Sequence, residues 1–181
     1  MMLDKTTKLM HKTFQNASKS GSDGWTNRDQ EFTQFGVNYR GSSLLVEERY
    51  TDADEPVDPY RSGFDGSAHA GDRAPCAPGL ILSQPGEAST CRLYDLFDIT
   101  SHTVLVFTRA GSSLAGEVQR ILSGYDRALV KGVIISPQGT TGTMDSSFLQ
   151  TVIDGDGYVY KHFKVPQDEE LVVVVRPDGV S

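Results

Sequence analysis

"HTVLVFTRAGSSLAGEVQRILSGYD", His102 to Asp126, decides the fold, because its two halves obey different periods. "HTVLVFT" is a continuous apolar run of the length of a buried strand. "SSLAGEVQRIL" instead puts Leu114, Val118, Ile121 and Leu122 on one helical face, with Ser112 or Ser113 as N-cap and Gly124 just past the apolar run. "ALVKGVIISP", Ala128 to Pro137, then reads as a second buried strand closed by its proline.

Working outward, "RLYDLFD" (Arg92–Asp98) is a short amphipathic segment upstream. Downstream, "SSFLQTVIDGDG" (Ser146–Gly157) reads as a short helix ending in a glycine turn. "YVYKHFKV" (Tyr158–Val165) alternates like a strand with one exposed face, and "ELVVVVRPDG" (Glu170–Gly179) is a third buried strand cut off by Pro177. Strand, helix, strand, a connection and two more strands is the element order of a thioredoxin-like α/β domain. The stretch "TDADEPVDPYRSGFDGSAHAGDRAP" is rich in Asp, Gly and Pro and lacks periodicity, so it reads as a linker. The expected division is therefore an extension over 1–70 and the thioredoxin-like domain over 71–181. In the extension, Leu3, Leu9, Met10 and Phe14 recur at helical spacing before the turn formers from Ser18, and Leu44, Val46 and Tyr50 predict a strand near Ser42–Arg49. A lone helix of that size needs a surface to dock on.

Composition narrows the function classes. The chain has 181 residues, 38% of them apolar, which is enough for one real core. Acidic residues number 24 against 17 Lys and Arg, a net charge of -7, and no basic run is interleaved with aromatics, so a nucleic-acid backbone would be repelled. No apolar run approaches a membrane span or a signal-peptide core, and the expected setting is soluble and cytoplasmic.

The chemistry that often accompanies this fold has no residues to run on. A redox-active thioredoxin fold keeps its cysteine between the first central strand and the following helix, where the helix N-terminus lowers the thiol pKa. That junction here is "VFTRAGSSLAG", without cysteine. The two cysteines, Cys76 and Cys91, are too far apart for a CxxC site and read as buried or partly buried thiols; prolines flank Cys76, and Arg73 is its one nearby cation in sequence. His11, His69, His102 and His162 have no partner at metal-ligand spacing, so no metal site is expected. No nucleophile elbow, Walker A loop or GxGxxG is present. Glu47/Glu48 and Glu169/Glu170 read as solvated surface, and "SPQGTTGTMDSS" as a surface loop near the strand ends, where α/β sheets place ligands.

The ordered series "FGVNYRGSSLLVEE" (35–48), "AGDRAPCAPGL" (70–80), "RLYDLFD", "HTVLVF" and "VVVVRPDG" resembles the carboxy-terminal portion of FAD-dependent aromatic hydroxylases of the phenol 2-monooxygenase type. The likeness runs from about Asp4 to Ser181. It implies that "TTKLMHKTF" corresponds to the last helix region of a flavin-binding core, and that "GDRAP" opens a thioredoxin-like domain implicated in dimerisation. The family's dinucleotide fingerprint and its flavin-binding Asp-Gly and Gly-Asp segments have no counterpart here, so no residue inherits a flavin contact or a catalytic role.

Two functions are expected from these readings. In the first, the chain is a stand-alone accessory or dimerisation module, a homodimer or a partner of a full-length flavoprotein hydroxylase, with no cofactor of its own and FAD only where another polypeptide supplies a core. In the second, it is a cofactor-independent cyclase, isomerase or lyase acting on an aromatic or polyketide intermediate, with His102, Tyr39, Asp95, Arg109 and His162 as candidate acid/base groups.

Overall fold

The computed structural model describes residues 37–50, 68–82, 89–108, 112–139, 149–166 and 168–181. The expected helix in the first twenty residues, the linker core and most of the glycine-rich loop lie outside them. Six strands form one sheet: β1 (Leu80–Leu82), β2 (Ser89–Cys91), β3 (His102–Phe107), β4 (Val130–Pro137), β5 (Leu149–Asp154) and β6 (Leu171–Val175). A 3-10 turn spans Leu93–Leu96, helix α1 spans Leu114–Leu122 and helix α2 spans Tyr158–His162. The strand order is β2-β1-β5-β4-β3-β6. β3, β4 and β5 run parallel, whereas β6 is antiparallel to β3 and β1 to β5.

Alternation along β3 divides the core between the two faces of the sheet. Leu105 and Phe107 point to one face, where Val133, Ile135, Val152 and Val175 meet Leu80, Leu93, Val159 and Phe163. Val104 and Val106 point to the other, where Ile134 and Leu149 meet Ala115, Val118 and Leu122 of α1. Phe107 is wholly buried, with Tyr160 edge-on at 5.2 Å and Phe163 tilted at 5.4 Å between ring centroids. Burial of a side chain of that size contributes about 1.5–3 kcal/mol. At the start of α1, Ser113 stands at the N-cap without a side-chain bond, and the Ser112 hydroxyl takes the Leu114 amide at 3.0 Å.

Four expectations are corrected. Residues 42–49 form successive turns rather than a strand, with the Ser42 amide on the Tyr39 carbonyl and the Leu45 amide on the Ser42 carbonyl. Leu44 and Val46 are 91% and 79% exposed, since their alternation meets no sheet edge. The segment expected as a short helix ends in strand β5, whose Thr151, Val152 and Ile153 are β-branched and pair with β4. The segment expected as a strand forms α2, because Val159, Tyr160 and Phe163 are buried at helical spacing. Among the described residues "VVVV" is an edge strand: Val175 is fully buried, but Val172 and Val174 are 40% and 51% exposed. The short β1–β2 hairpin completing the far edge carried no alternation long enough to read.

The change from β5 to α2 is made by Asp154. Its carboxylate, fully buried, accepts the amides of Tyr158 at 3.1 Å and Tyr160 at 3.0 Å. The chain turns between them through Gly157 at φ 65, a left-handed conformation that glycine adopts without strain. Asp154→Ala is expected to cost about 1–3 kcal/mol by leaving buried amides unpaired. Asp154→Asn, which keeps an acceptor oxygen, should cost less; equal urea midpoints for wild type and Asp154→Ala would contradict this role.

Candidate functional site

The carboxyl ends of the parallel strands are where an open α/β sheet offers a crevice. Here they carry a groove of about 640 Å³, whose lining includes Gln138, Asp154, Asp156, Tyr160, Lys161 and Lys164. β4 supplies its Pro137 edge, the β5–α2 turn supplies the two aspartates, and α2 with the turn after it supplies the tyrosine and lysines. Asp154 is already committed to backbone amides, so the groups facing solvent are Asp156, Lys161 and Lys164, all exposed.

Tyr160 occupies the base of this region. Its hydroxyl donates to the Ile135 carbonyl at 2.8 Å and the Thr108 carbonyl at 3.2 Å, so it bridges the ends of β4 and β3. Burial pushes its pKa up to about 12, a rise that the nearby Asp154 and Glu170 charges support and the Thr108 contact opposes. That shift runs away from neutrality, so Tyr160 is a structural donor rather than a proton-transfer group at physiological pH.

The sequence-predicted candidates occupy separate settings. His102 is exposed at the start of β3, with its amide on the Leu129 carbonyl. The exposed Tyr39 ring lies under the Arg176 guanidinium at 5.7 Å. Asp95 accepts the Arg92 amide at 2.8 Å and so caps the 3-10 turn. His162 stacks on Tyr158 at 6.0 Å, and burial lowers its pKa against the opposing pull of Asp72. Arg109 lies outside the described residues. Among the described residues, no hydrogen bond, ion pair or ring contact joins any two of the other four.

Neither cysteine stands at the β3–α1 junction. Cys76, expected as a buried or partly buried thiol, is instead exposed in the connector before β1. Cys91, half-buried in β2, has its pKa raised by burial and then by Asp95, the opposite of a reactive thiolate. Among the described residues, no group of three or more His, Cys, Asp or Glu is placed to hold a metal ion, and no helix is long and apolar enough to cross a membrane.

Glu47, expected as solvated surface, is instead an anchor. Its carboxylate accepts the Ala70 amide at 2.9 Å and the Arg49 amide at 3.0 Å. Burial, which would raise its pKa, is outweighed by these bonds and by the Arg49 and His69 charges, and the net shift is downward. Arg49 reaches the Phe163 and Ala68 carbonyls, and Arg40 pairs with Asp72, so residues 38–50 are tied to the domain by side chains. Gly71 sits where they meet: a Cβ there would stand 2.6 Å from Leu45 and 2.7 Å from the Arg40 amide nitrogen.

No family model matches the sequence, and no curated protein matches it. Solved structures do align with it. The thioredoxin domain of a thiol-disulfide oxidoreductase from Bacteroides vulgatus aligns at a TM-score of 0.48 and 16% identity, over 63% of this chain and 86% of that one. A secreted Mycobacterium tuberculosis disulfide oxidoreductase aligns at 0.41 and 20%, over 56% and 78%. The flavin-dependent monooxygenase PieE, solved with FAD and substrate, aligns at 0.49 and 21%, over 80% of this chain but only 21% of its own. The fold is thioredoxin-like. That follows from the sheet itself, in which β3-α1-β4 is a parallel unit and β6 flanks β3 antiparallel.

Asp154, Tyr160, Lys161 and Lys164 are not among the sequence-predicted candidates. The signal was present in "DGDGYVY", an aspartate and glycines preceding helically spaced apolar residues, which is a helix-start pattern. Tyr160→Phe is expected to cost about 1–2 kcal/mol through its lost hydroxyl bonds. Because the folded pKa is raised, the stabilisation is complete below the ordinary value of 10 and is lost as pH climbs towards 12. Denaturation across that range should show a shallower alkaline loss for Tyr160→Phe than for wild type; parallel curves would refute the assignment.

Proposed function

We propose that this chain is a non-redox thioredoxin-like module that acts by association, as the accessory or dimerisation part of a flavoprotein monooxygenase system. The observation that carries this reading is the apolar side of β6, where Val172 and Val174 stand exposed on the sheet face that α1 covers elsewhere. Exposed apolar side chains side by side on one sheet face are surface that association would cover. The junction without cysteine and the scattered titratable candidates supply no competing chemistry, and the sequence resemblance to the aromatic hydroxylases supports the flavoprotein context. FAD in such a system would be held by a flavin-binding core, whose motifs these 181 residues lack.

Light scattering with an absorbance spectrum tests the reading. The purified chain is expected to be colourless and to form a particle of about twice its 19.8 kDa mass, or to bind a full-length flavoprotein hydroxylase when mixed with one. A monomer indifferent to that hydroxylase, or a stoichiometric flavin band, would defeat it.

A second test concerns the thiols. Cys76→Ser should leave association unchanged, and the wild-type chain should not reduce insulin in a turbidity assay. Insulin reduction that disappears in Cys76→Ser would show a redox function instead.

A further inference from the structure

One residue other than glycine has a left-handed backbone among the described residues: Lys164, at φ 47. It follows Phe163, the C-cap of α2. The Val165 amide reaches back to the Tyr160 carbonyl at 2.9 Å and the Lys164 amide to the Lys161 carbonyl at 3.2 Å, the two bonds of a Schellman turn. Such a turn places its left-handed residue where Lys164 stands, and the position is usually glycine because a Cβ is strained there. Backbone strain persists only where the surroundings over-determine it, and it gathers at functional sites. Lys164 lines the groove together with Tyr160 and Lys161 of α2.

The contact that over-determines this turn comes from 114 residues away. Arg49 donates Nη1 to the Phe163 carbonyl at 2.6 Å and Nη2 to the Ala68 carbonyl at 3.1 Å. The Ala68 amide in turn donates to the His162 carbonyl at 3.1 Å. The carbonyls that end α2, from Tyr160 to Phe163, therefore all have donors, and the last of these donors is charged. Arg49 is itself held in place. Its amide bonds Glu47 Oε1 at 3.0 Å, and its guanidinium lies 5.0 Å from the centre of the Tyr50 ring, which is 4.0 Å from that of His69. Rotating Lys164 out of φ 47 while the chain on either side stays in place turns the rigid Phe163–Lys164 peptide plane, and that swings the Phe163 carbonyl off the guanidinium. Conversely, withdrawal of Arg49 removes the restraint on that plane. Each event favours the other, as linkage requires.

We propose that residues 38–50 form a latch on the groove: Arg49 is a distant C-cap of α2, and docking of this segment and the left-handed placement of Lys164 are one two-state element. Arg49 is a positioning residue for the groove lysine, while Arg40 on Asp72 and Glu47 on the Ala70 amide seat the segment. The latch stands apart from the association reading. It gives residues 38–50 a route by which their attachment changes where Lys164 stands.

Amide hydrogen exchange on the full chain, read residue by residue by NMR, tests the coupling. Arg49→Ala should speed exchange of the Val165 amide by roughly tenfold or more, while the amides of β3 and β4 move by less than about twofold. Lys164→Gly accepts φ 47 without strain, so adding it to Arg49→Ala should return Val165 to within about threefold of wild type. The reverse direction is read at the Ala70 amide, whose acceptor is Glu47. Lys164→Val, a branched side chain poorly suited to that backbone, should speed Ala70 exchange by roughly fivefold, and Lys164→Gly alone should not speed it.

Val165 protection that is unchanged in Arg49→Ala, lost in step with β3 and β4, or not recovered with Lys164→Gly would overturn the latch. So would an Ala70 amide indifferent to Lys164→Val, the behaviour of a helix cap without coupling. Should Lys164→Val not fold, the glycine rescue still decides.

Discussion

A single buried carboxylate sets the geometry at the carboxyl end of the sheet. Asp154 ends β5 with no solvent exposure and spends its oxygens on the Tyr158 and Tyr160 amides. A carboxylate so placed must be satisfied by fixed donors. The donors available are those of a chain that has already turned through Gly157 into a helix. With α2 held there, Tyr160 reaches the ends of β3 and β4, and Phe163 closes on Phe107 in the core. Strand ends, helix start and aromatic cluster are therefore one coupled unit, in which loss of the carboxylate is felt by both core and sheet.

That arrangement bears on chemistry as much as on stability. In thiol-active relatives of this fold the strand-to-helix junction presents a cysteine to a helix N-terminus. Here the neighbouring space is braced by a neutral tyrosine whose two acceptors are main-chain carbonyls. A group used this way stabilises because it keeps its proton, whereas a catalytic acid or base must give and take one near the working pH. The groove above it presents exposed lysines and an aspartate, a surface suited to weak and exchangeable contacts.

Legibility in the sequence followed the source of each element's order. β3, α1 and β4 were readable because burial on one or both faces imposes its period directly on Val104, Leu105, Val118, Leu122 and Ile134. The exchange of strand and helix between β5 and α2 came from short segments, where Thr151 to Asp154 and Tyr158 to His162 each fit either period. Asp154, a side chain that acts through backbone amides further along, decided between them. The run 42–49 misled for a related reason: its alternation is real, but a strand needs a neighbour, and Arg40, Glu47 and Arg49 fasten the segment by side chains instead. Candidate site residues were the least readable, since convergence in space leaves no trace in spacing along the chain.

The unequal cover of the two sheet faces is the last consequence of this architecture. One face meets the 3-10 turn, α2 and the segments on either side of it, which bury Leu93, Val159, Phe163 and Val165 against the strands. The other meets α1, whose Ala115, Val118 and Leu122 reach β3 and β4. β6 lies one strand further out, so its inward residues complete the first core while Val172 and Val174 remain in water. β-branched residues raise strand propensity whichever way they point, which accounts for a well-formed strand here but not for two valines on its wet face. A polar residue such as threonine would serve the backbone as well and leave less apolar surface exposed. Val172 and Val174 are thus apolar beyond what the strand itself needs, whereas Leu171, Val173 and Val175 on the opposite face are drawn into the core.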